Sequence, residues 1–349
     1  MKNLIISPNL TINQALKAMS KSGGRCVVVV NEKNEMIGTL SDGDLRRAIL
    51  KGARLDDSIG ATYNQSPHYF FDGKYSIKDA KEIFLKHKYE IIPIVNEKKI
   101  IVDILIWDQV FSNLKNSRKI KLDVPVVIMA GGKGARLKPF TNILPKPLIP
   151  VHEKPILEHI IERFTEVGCS EFHLTVNYKA KIIKAYFEEM QYDYRVHFVE
   201  EQDPLGTAGS LSYLSGELEQ PFFVTNCDTI IKADYVSLYD FHNKGGYDVT
   251  LVASAKEYII PFGTCELNSD GHLSHINEKP QYDFLINTGL YILNPDVLKI
   301  IPKNKFYHIT HLIEDAKEQG KKVGVFPIND DAWIDVGQWA EYRKAIEKF

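Results

Sequence analysis

From Val126 to Val151 the chain reads VVIMAGGKGARLKPFTNILPKPLIPV, and this stretch constrains the fold more than any other. Val126, Val127 and Ile128 form a β-branched run suited to a buried strand, and Ala130-Gly131-Gly132-Lys133-Gly134-Ala135-Arg136 follows it at once. Glycines lack Cβ atoms, so a turn built from them leaves main-chain N–H groups free to point together at one anion. Lys133, Arg136 and Lys146 add positive charge, and the expected ligand is a polyphosphate. Neither familiar phosphate loop fits. A Walker loop ends Gly-Lys-Ser/Thr and a dinucleotide loop runs Gly-x-Gly-x-x-Gly into a helix, whereas Gly134 precedes Ala135-Arg136 and then Pro139.

Past residue 123, strand-like stretches (Val126 to Met129, Glu171 to Val176, Arg195 to Val199, Phe222 to Thr225) alternate with helical ones (Pro155 to Val167, Ala180 to Met190, Thr207 to Leu214). This alternation predicts an α/β fold with a Rossmann-like, doubly wound, mixed but mostly parallel sheet, and ligands at the carboxyl ends of its strands. The glycine loop lies at one such end and Asp228 at another. A carboxylate leaving an apolar strand needs solvent or a cation, and Mg²⁺ normally accompanies a nucleoside triphosphate. Asp228 and Asp335, the latter followed by Val336-Gly337, are the candidate Mg²⁺ ligands.

The first third contains a duplication. Leu10 to Glu32 lines up with Tyr75 to Glu97 at one constant offset. Each copy has a hydroxyl N-cap (Thr11, Ser76), a helix with apolar residues at helical spacing, a β-branched strand, a polar turn (Glu32 to Glu35, Glu97 to Lys99), a second strand and a second helix. Repeats this short pair to bury a shared core. A polar, basic stretch from Asn113 to Asp123 reads as a connector. The expected organisation is a repeat pair over 1–118 (copies about 1–60 and 61–118), a linker over 119–124 and a second domain over 125–349.

With 349 residues and a net charge of -2, the chain has no global field to attract nucleic acid or a membrane surface, so an anionic ligand calls for a local basic pocket. Cys26, Cys169, Cys227 and Cys265 are widely spaced and form no metal motif, which predicts reduced core residues. The first residues carry no export signal, and the expected location is the cytoplasm.

Gly131 to Leu137 together with Pro145-Lys146-Pro147 resembles the signature Gly-Gly-x-Gly-x-Arg-Leu and Pro-Lys-Pro of the sugar-1-phosphate nucleotidyltransferases. The resemblance implies a GT-A-like fold and transfer of a nucleotidyl group from a nucleoside triphosphate to a sugar 1-phosphate. It casts Arg136, Lys146 and Asp228 as catalytic, Ala130 to Gly134 as nucleotide-binding, and Asp228 with Asp335 as metal ligands. Glu201-Gln202-Asp203-Pro204-Leu205-Gly206-Thr207 resembles the loop that reads the base, implicating Glu201, Gly206 and Thr207. A carboxylate at position 201 can accept from the N1–H and N2 amino edge of guanine, which favours GTP over UTP or dTTP. Glu278-Lys279-Pro280 and Asn287-Thr288-Gly289 are similar to the sugar-phosphate side of these enzymes.

The duplication resembles a tandem cystathionine-β-synthase (CBS) pair, a module that commonly binds adenine nucleotides. Gly38 to Asp44 matches Gly-x-x-Ser/Thr-x-x-Asp, so Ser41 and Asp44 are the candidate ribose contacts; Val102 and Leu105 spoil the second copy. Members of this type imply glucosamine 1-phosphate as the sugar, in bacterial surface nonulosonate (legionaminic acid) synthesis, with mannose or heptose 1-phosphate as alternatives and a homo-oligomer as the assembly. A glucose-1-phosphate enzyme using UTP or dTTP, a sugar-consuming glycosyltransferase and a non-catalytic nucleotide sensor acting through the CBS pair are the competing readings.

Overall fold

Val126–Met129 is the third strand of a seven-stranded sheet in the computed structural model, which describes residues 4–22, 26–87, 89–110, 121–189 and 192–348. Two compact units divide the chain: Met1–Arg118 with Ala255–Leu285, and Lys119–Ser254 with Ile286–Phe349.

In the second unit the strand order is Arg195–Glu200, Glu171–Val176, Val126–Met129, Phe222–Asn226, Gln281–Leu293, Val249–Ile259 and Val323–Asn329. The first four strands pair in parallel. Gln281–Leu293 runs antiparallel to Phe222–Asn226, making the sheet mixed as expected. Val126 and Ile128 point into one buried cluster and Val127 into another, so this strand is covered on both faces and tolerates only apolar residues. The helix Ile156–Thr165 buries Ile156, Leu157, Ile160, Ile161 and Phe164, an apolar stripe at helical spacing, against the first cluster. Because sequential order reverses on either side of Val126–Met129, a crevice opens at its carboxyl end, where the glycine loop begins.

Two sequence expectations change here. The segment expected to be a helix from Thr207 to Leu214 is a 3₁₀ turn over Gly209–Leu214. The N–H groups of Ala208 and Gly209 both donate to Tyr307 O (3.0 and 3.2 Å), and the Ser212 hydroxyl donates to Gly209 O (2.6 Å), so the backbone is tied down before an α-helix can develop. Lys121 to Val124, expected in the connector, are docked: Leu122 N–H donates to Val167 O (2.9 Å) and Val124 is buried. The rest of the connector, up to residue 120, and the expected helix end at Met190 lie outside the described residues.

In the first unit each repeat copy gives a three-stranded sheet, Ile5–Ile6, Cys26–Val30 and Met36–Ser41 in one, Phe70–Phe71, Ile91–Val95 and Ile101–Ile106 in the other. The turns are built alike. Asn31 Oδ1 accepts from the N–H groups of Lys33 and Glu35, and Asn96 Oδ1 accepts from those of Lys98 and Ile100. Met36 N–H donates to Lys99 O (2.8 Å), joining the two hairpins, and Val28, Val30 and Met36 share a buried cluster with Ile91, Val95 and Ile104. The shared core predicted from the duplication is present. Ala255 lies in the same buried cluster as Ile12, Val27 and Leu40, which anchors segment Ala255–Leu285 in this unit.

Candidate active site

The crevice at the end of Val126–Met129 is lined first by the glycine loop. Ala130 is buried and its N–H donates to Thr175 O (2.9 Å), closing the strand. Around Gly132 no atom lies within 4 Å of where a Cβ would stand, so this part of the loop faces open space. Gly134 has a left-handed φ of 62°, and a side chain there would press on Thr141 Cγ2 (2.8 Å) and Lys146 Cβ (3.0 Å). The turn therefore folds tightly onto the segment carrying Lys146, and Lys133 and Arg136 stand exposed above it.

Lys146 opens a 3₁₀ turn, Lys146–Leu148, and its ammonium forms an ion pair with Asp228 Oδ2. The two side chains are only 12% and 10% exposed. Burial opposes the ammonium, but the Asp228 carboxylate outweighs it and lifts Lys146 above the ordinary lysine value, keeping it charged. Asp228 stands two residues past the end of Phe222–Asn226. Its backbone continues into Thr229–Ile231, which pairs antiparallel with Trp333–Asp335, and Val336 N–H donates to Asp228 O (2.9 Å). This two-stranded ribbon brings Asp335 to the same place. Burial pushes the Asp335 carboxyl up, the Gly337 N–H bond to its Oδ1 (2.7 Å) works the other way, the charge of Asp228 raises it again, and Lys146 and Arg136 lower it.

Gly337 marks the point of convergence. A Cβ on it would collide with Asp228 Oδ2 and stand 2.9 Å from Asp335 Oδ1 and 3.3 Å from Lys146 Nζ. Two carboxylates and an ammonium thus meet across a space that only a glycine leaves open, with the Arg136 charge acting on both Asp335 and Lys146. Among the described residues no group of three or more His, Cys, Asp or Glu is placed to hold a metal. A two-carboxylate set fits Mg²⁺ all the same, because that ion keeps several waters and takes phosphate oxygens from its nucleotide. Cys227, beside Asp228, is buried, which pushes its thiol up to about 12 and leaves it protonated and unreactive.

The residues expected to read the base adjoin the glycine loop. Glu201 is buried; its Oε2 accepts from Leu205 N–H (3.1 Å), and its Oε1 lies 3.0 Å from where a Cβ on Gly131 would stand. Burial pushes this carboxyl up, against the Leu205 hydrogen bond. Asn177, not anticipated from the sequence, ties the two loops by donating to Glu201 O (2.8 Å). The signal for it was available, since it stands at the carboxyl end of Glu171–Val176. Gly206 has a φ of 82°, and its close approach is to its own chain, with Tyr307 O 2.7 Å from a Cβ position. Thr207 Oγ1 accepts from Ile309 N–H (2.9 Å), at the start of helix Ile309–Glu318.

Of the residues expected on the sugar side, Asn287 accepts from Gly289 N–H (3.1 Å) and donates to the Tyr291 hydroxyl (2.8 Å), while the buried Thr288 hydroxyl donates to Val252 O (2.9 Å). Gly289, with φ of 84°, packs on Asn226, two residues before Asp228. Thr288 therefore holds its strand, and the turn behind Asp228 is what Gly289 shapes. Glu278 and Lys279 are exposed and belong to segment Ala255–Leu285 of the first unit. In that unit Ser41 and Asp44 form a capping box on helix Asp42–Leu50: Asp44 Oδ2 accepts from Ser41 N–H (2.8 Å) and from the Ser41 hydroxyl (2.6 Å), and Ser41 Oγ accepts from Asp44 N–H (3.2 Å).

The family model described as nucleotidyl transferase matches residues 125–349. The chain belongs to the nucleotidyl transferase family. A CBS domain model matches residues 1–51. Similar proteins include the mannose-1-phosphate guanyltransferase of Aspergillus fumigatus, 38% identical over 186 residues (50% of this chain and 50% of that one). The catalytic subunit beta of the mannose-1-phosphate guanylyltransferase of Drosophila pseudoobscura pseudoobscura is 34% identical over 227 residues (61% and 58%). Among solved structures, HddC from Yersinia pseudotuberculosis is similar with a TM-score of 0.52 and 29% identity, over 65% of this chain and 99% of that one; it has also been solved with GMP-PN. The nucleotidyl transferase likeness thus covers the fold around the crevice. The chain spans about half the length of the curated relatives, 50% and 58% for the two named.

Proposed function

We propose that the chain transfers a guanylyl group from GTP to a sugar 1-phosphate, forming a GDP-sugar and pyrophosphate. The observation that carries this reading is the convergence of Lys146, Asp228 and Asp335 at Gly337, below the open glycine loop and within the field of Arg136. A phosphate oxygen of the sugar phosphate is already anionic at neutral pH, so no protein nucleophile or general base is required. The protein's task is to hold two anions in line and neutralise the charge that repels them. The amides of Gly131 to Gly134 with Arg136 receive the β- and γ-phosphates. Lys146 exchanges Asp228 for the oxygens around the α-phosphate and the leaving pyrophosphate. Asp228 and Asp335 would hold Mg²⁺, which when bound would supply two positive charges to the phosphates. Glu278 and Lys279 are assigned to the sugar phosphate on the motif alone.

Guanine is supported by the carboxylate at position 201 and by the guanyltransferase names of the relatives. Those names put mannose 1-phosphate first among the sugars, ahead of glucosamine 1-phosphate and the heptose phosphates. Residues 1–118 are proposed as the CBS pair, with an adenine nucleotide as its ligand, and 125–349 as the transferase. The test is pyrophosphate release from GTP, UTP, dTTP, CTP and ATP against each of these sugar phosphates. The reading predicts turnover with GTP and Mg²⁺, lost in a folded Arg136→Ala protein; turnover retained by that variant sinks it.

A further inference from the structure

The turn between Glu171–Val176 and helix Ala180–Glu188 is tied to the crevice at three points, and one of its side chains has no part in the reaction proposed above. Asn177 holds Glu201 O, and Tyr178 N–H donates to Gly131 O (3.4 Å). Lys179 completes the set. Its ammonium donates to Thr141 O (3.2 Å), Asn142 O (2.7 Å) and Ile143 O (2.8 Å), so its three N–H groups all end on main-chain carbonyls. The conformation that allows this is a costly one. Lys179 has a left-handed φ of 56°, which a residue with a Cβ adopts only under steric strain, and such strain persists where the surroundings impose it.

Helix Phe140–Ile143, on which Lys179 acts, needs outside support. It has four residues, too few to hold itself, and only Thr141 is buried; Phe140 is 42% exposed and Ile143 76%. Its first residue rests on Trp339, with ring centroids 4.9 Å apart, and its carboxyl end rests on Lys179. Thr141 carries that support to the glycine loop. The Thr141 hydroxyl donates to Gly134 O (3.0 Å), and its Cγ2 lies 2.8 Å from where a Cβ on Gly134 would stand. The bond has an electrostatic consequence. A carbonyl oxygen turned towards an anion repels it, so a loop that binds phosphate through its N–H groups must keep its carbonyls engaged elsewhere. Thr141 engages that of Gly134, and Tyr178 that of Gly131.

We infer that Lys179 is a positioning residue for the polyphosphate end of the nucleotide, acting through Thr141 on Gly134 and touching no substrate. This role rests on the reading that the glycine loop receives the phosphates, and adds to it the part that keeps the loop's N–H groups facing outward.

Binding of inorganic pyrophosphate with Mg²⁺ is measured by calorimetry on the full chain and on Lys179→Met, Lys179→Gly and Lys179→Arg, each checked for folding by circular dichroism. Lys179→Met keeps the aliphatic stem without the ammonium, and its pyrophosphate affinity should fall about tenfold, the loss usual when a group supporting a binding shell is removed. Lys179→Gly relieves the left-handed backbone. A side chain that served only the fold of this turn would make that change benign, whereas positioning demands the same loss as in Lys179→Met. Lys179→Arg retains charge and donors and should recover most of the affinity. In turnover, KM for GTP should rise in Lys179→Met while KM for mannose 1-phosphate stays at the wild-type value. A folded Lys179→Met or Lys179→Gly protein that binds pyrophosphate as wild type does, a Lys179→Arg protein no better than Lys179→Met, or an equal rise in both KM values overturns the positioning role alone. A wild-type chain without pyrophosphate affinity overturns the phosphate-loop reading beneath it, and the role of Lys179 with it.

Discussion

Replacing Gly337 by alanine tests the geometry of the crevice with the smallest perturbation available. Gly337 does not occupy the left-handed φ region, so alanine meets no backbone strain there and its effect comes from the added methyl alone. Ordinary contact begins near 3.4 Å, whereas the new Cβ would stand 2.9 Å from Asp335 Oδ1 and closer still to Asp228 Oδ2. Asp335 must retreat by about 0.5 Å and Asp228 by about 1 Å, and misplacement on that scale costs roughly 10²-fold in a reaction that depends on alignment. The expected loss in kcat/KM is thus about 100-fold, or about 2.7 kcal/mol of transition-state stabilisation. The assay is pyrophosphate release from GTP and mannose 1-phosphate in Mg²⁺, beside a thermal melt that confirms the fold. A folded Gly337→Ala protein with wild-type kcat/KM refutes the claim that Asp228, Asp335 and Lys146 act together in that space.

Three further outcomes are expected. Lys146→Met strips the buried Asp228 of its partner and should destabilise the chain by about 3 kcal/mol in EDTA; urea melts with and without Mg²⁺ check this, and a loss that Mg²⁺ does not reduce contradicts the metal assignment. His242 is buried, with Nδ1 2.9 Å from Thr250 Oγ1 and Nε2 3.1 Å from Asn294 Oδ1, and burial holds it below its ordinary value of 6.5. The unfolded chain therefore binds that proton first, so this contribution is complete above pH 6.5 and lost as pH falls towards the lower folded value; denaturation at several pH values should show a shallower acid decline in His242→Gln. Ser41→Ala removes the capping box of helix Asp42–Leu50 and should cost about 1 kcal/mol in a thermal or urea melt without nucleotide.

The features legible in the sequence share a physical cause. A strand buried on both faces must be continuously apolar, and a phosphate loop must be glycine-rich, so Val126 to Gly134 announced both the central strand and the crevice. The repeat was legible because each copy solves the same capping and turn problem with the same residues, Thr11 and Ser76 for the caps, Asn31 and Asn96 for the turns. What remained hidden is long-range. Nothing local distinguishes Thr207, which caps a helix about a hundred residues away, from a ligand-binding hydroxyl. The same holds for Gly206, whose partner is the backbone of Tyr307. Cys265 was expected in the core and is exposed, because alternation along a two-stranded ribbon presents an apolar face without saying whether anything covers it.

Glu201 and Gly131 rest against each other, and Asn177 fastens the strand end between them to the loop that follows. In the proposed function, the ring and the phosphate tail of a nucleotide would therefore be held by parts packed directly on each other. Anyone re-engineering this scaffold for a different nucleobase cannot treat residue 201 as an isolated dial, since a side chain of another shape there will tilt the glycine cradle as well. Altered base choice and altered rate should arrive together, and separating them will take paired changes on both sides of that contact.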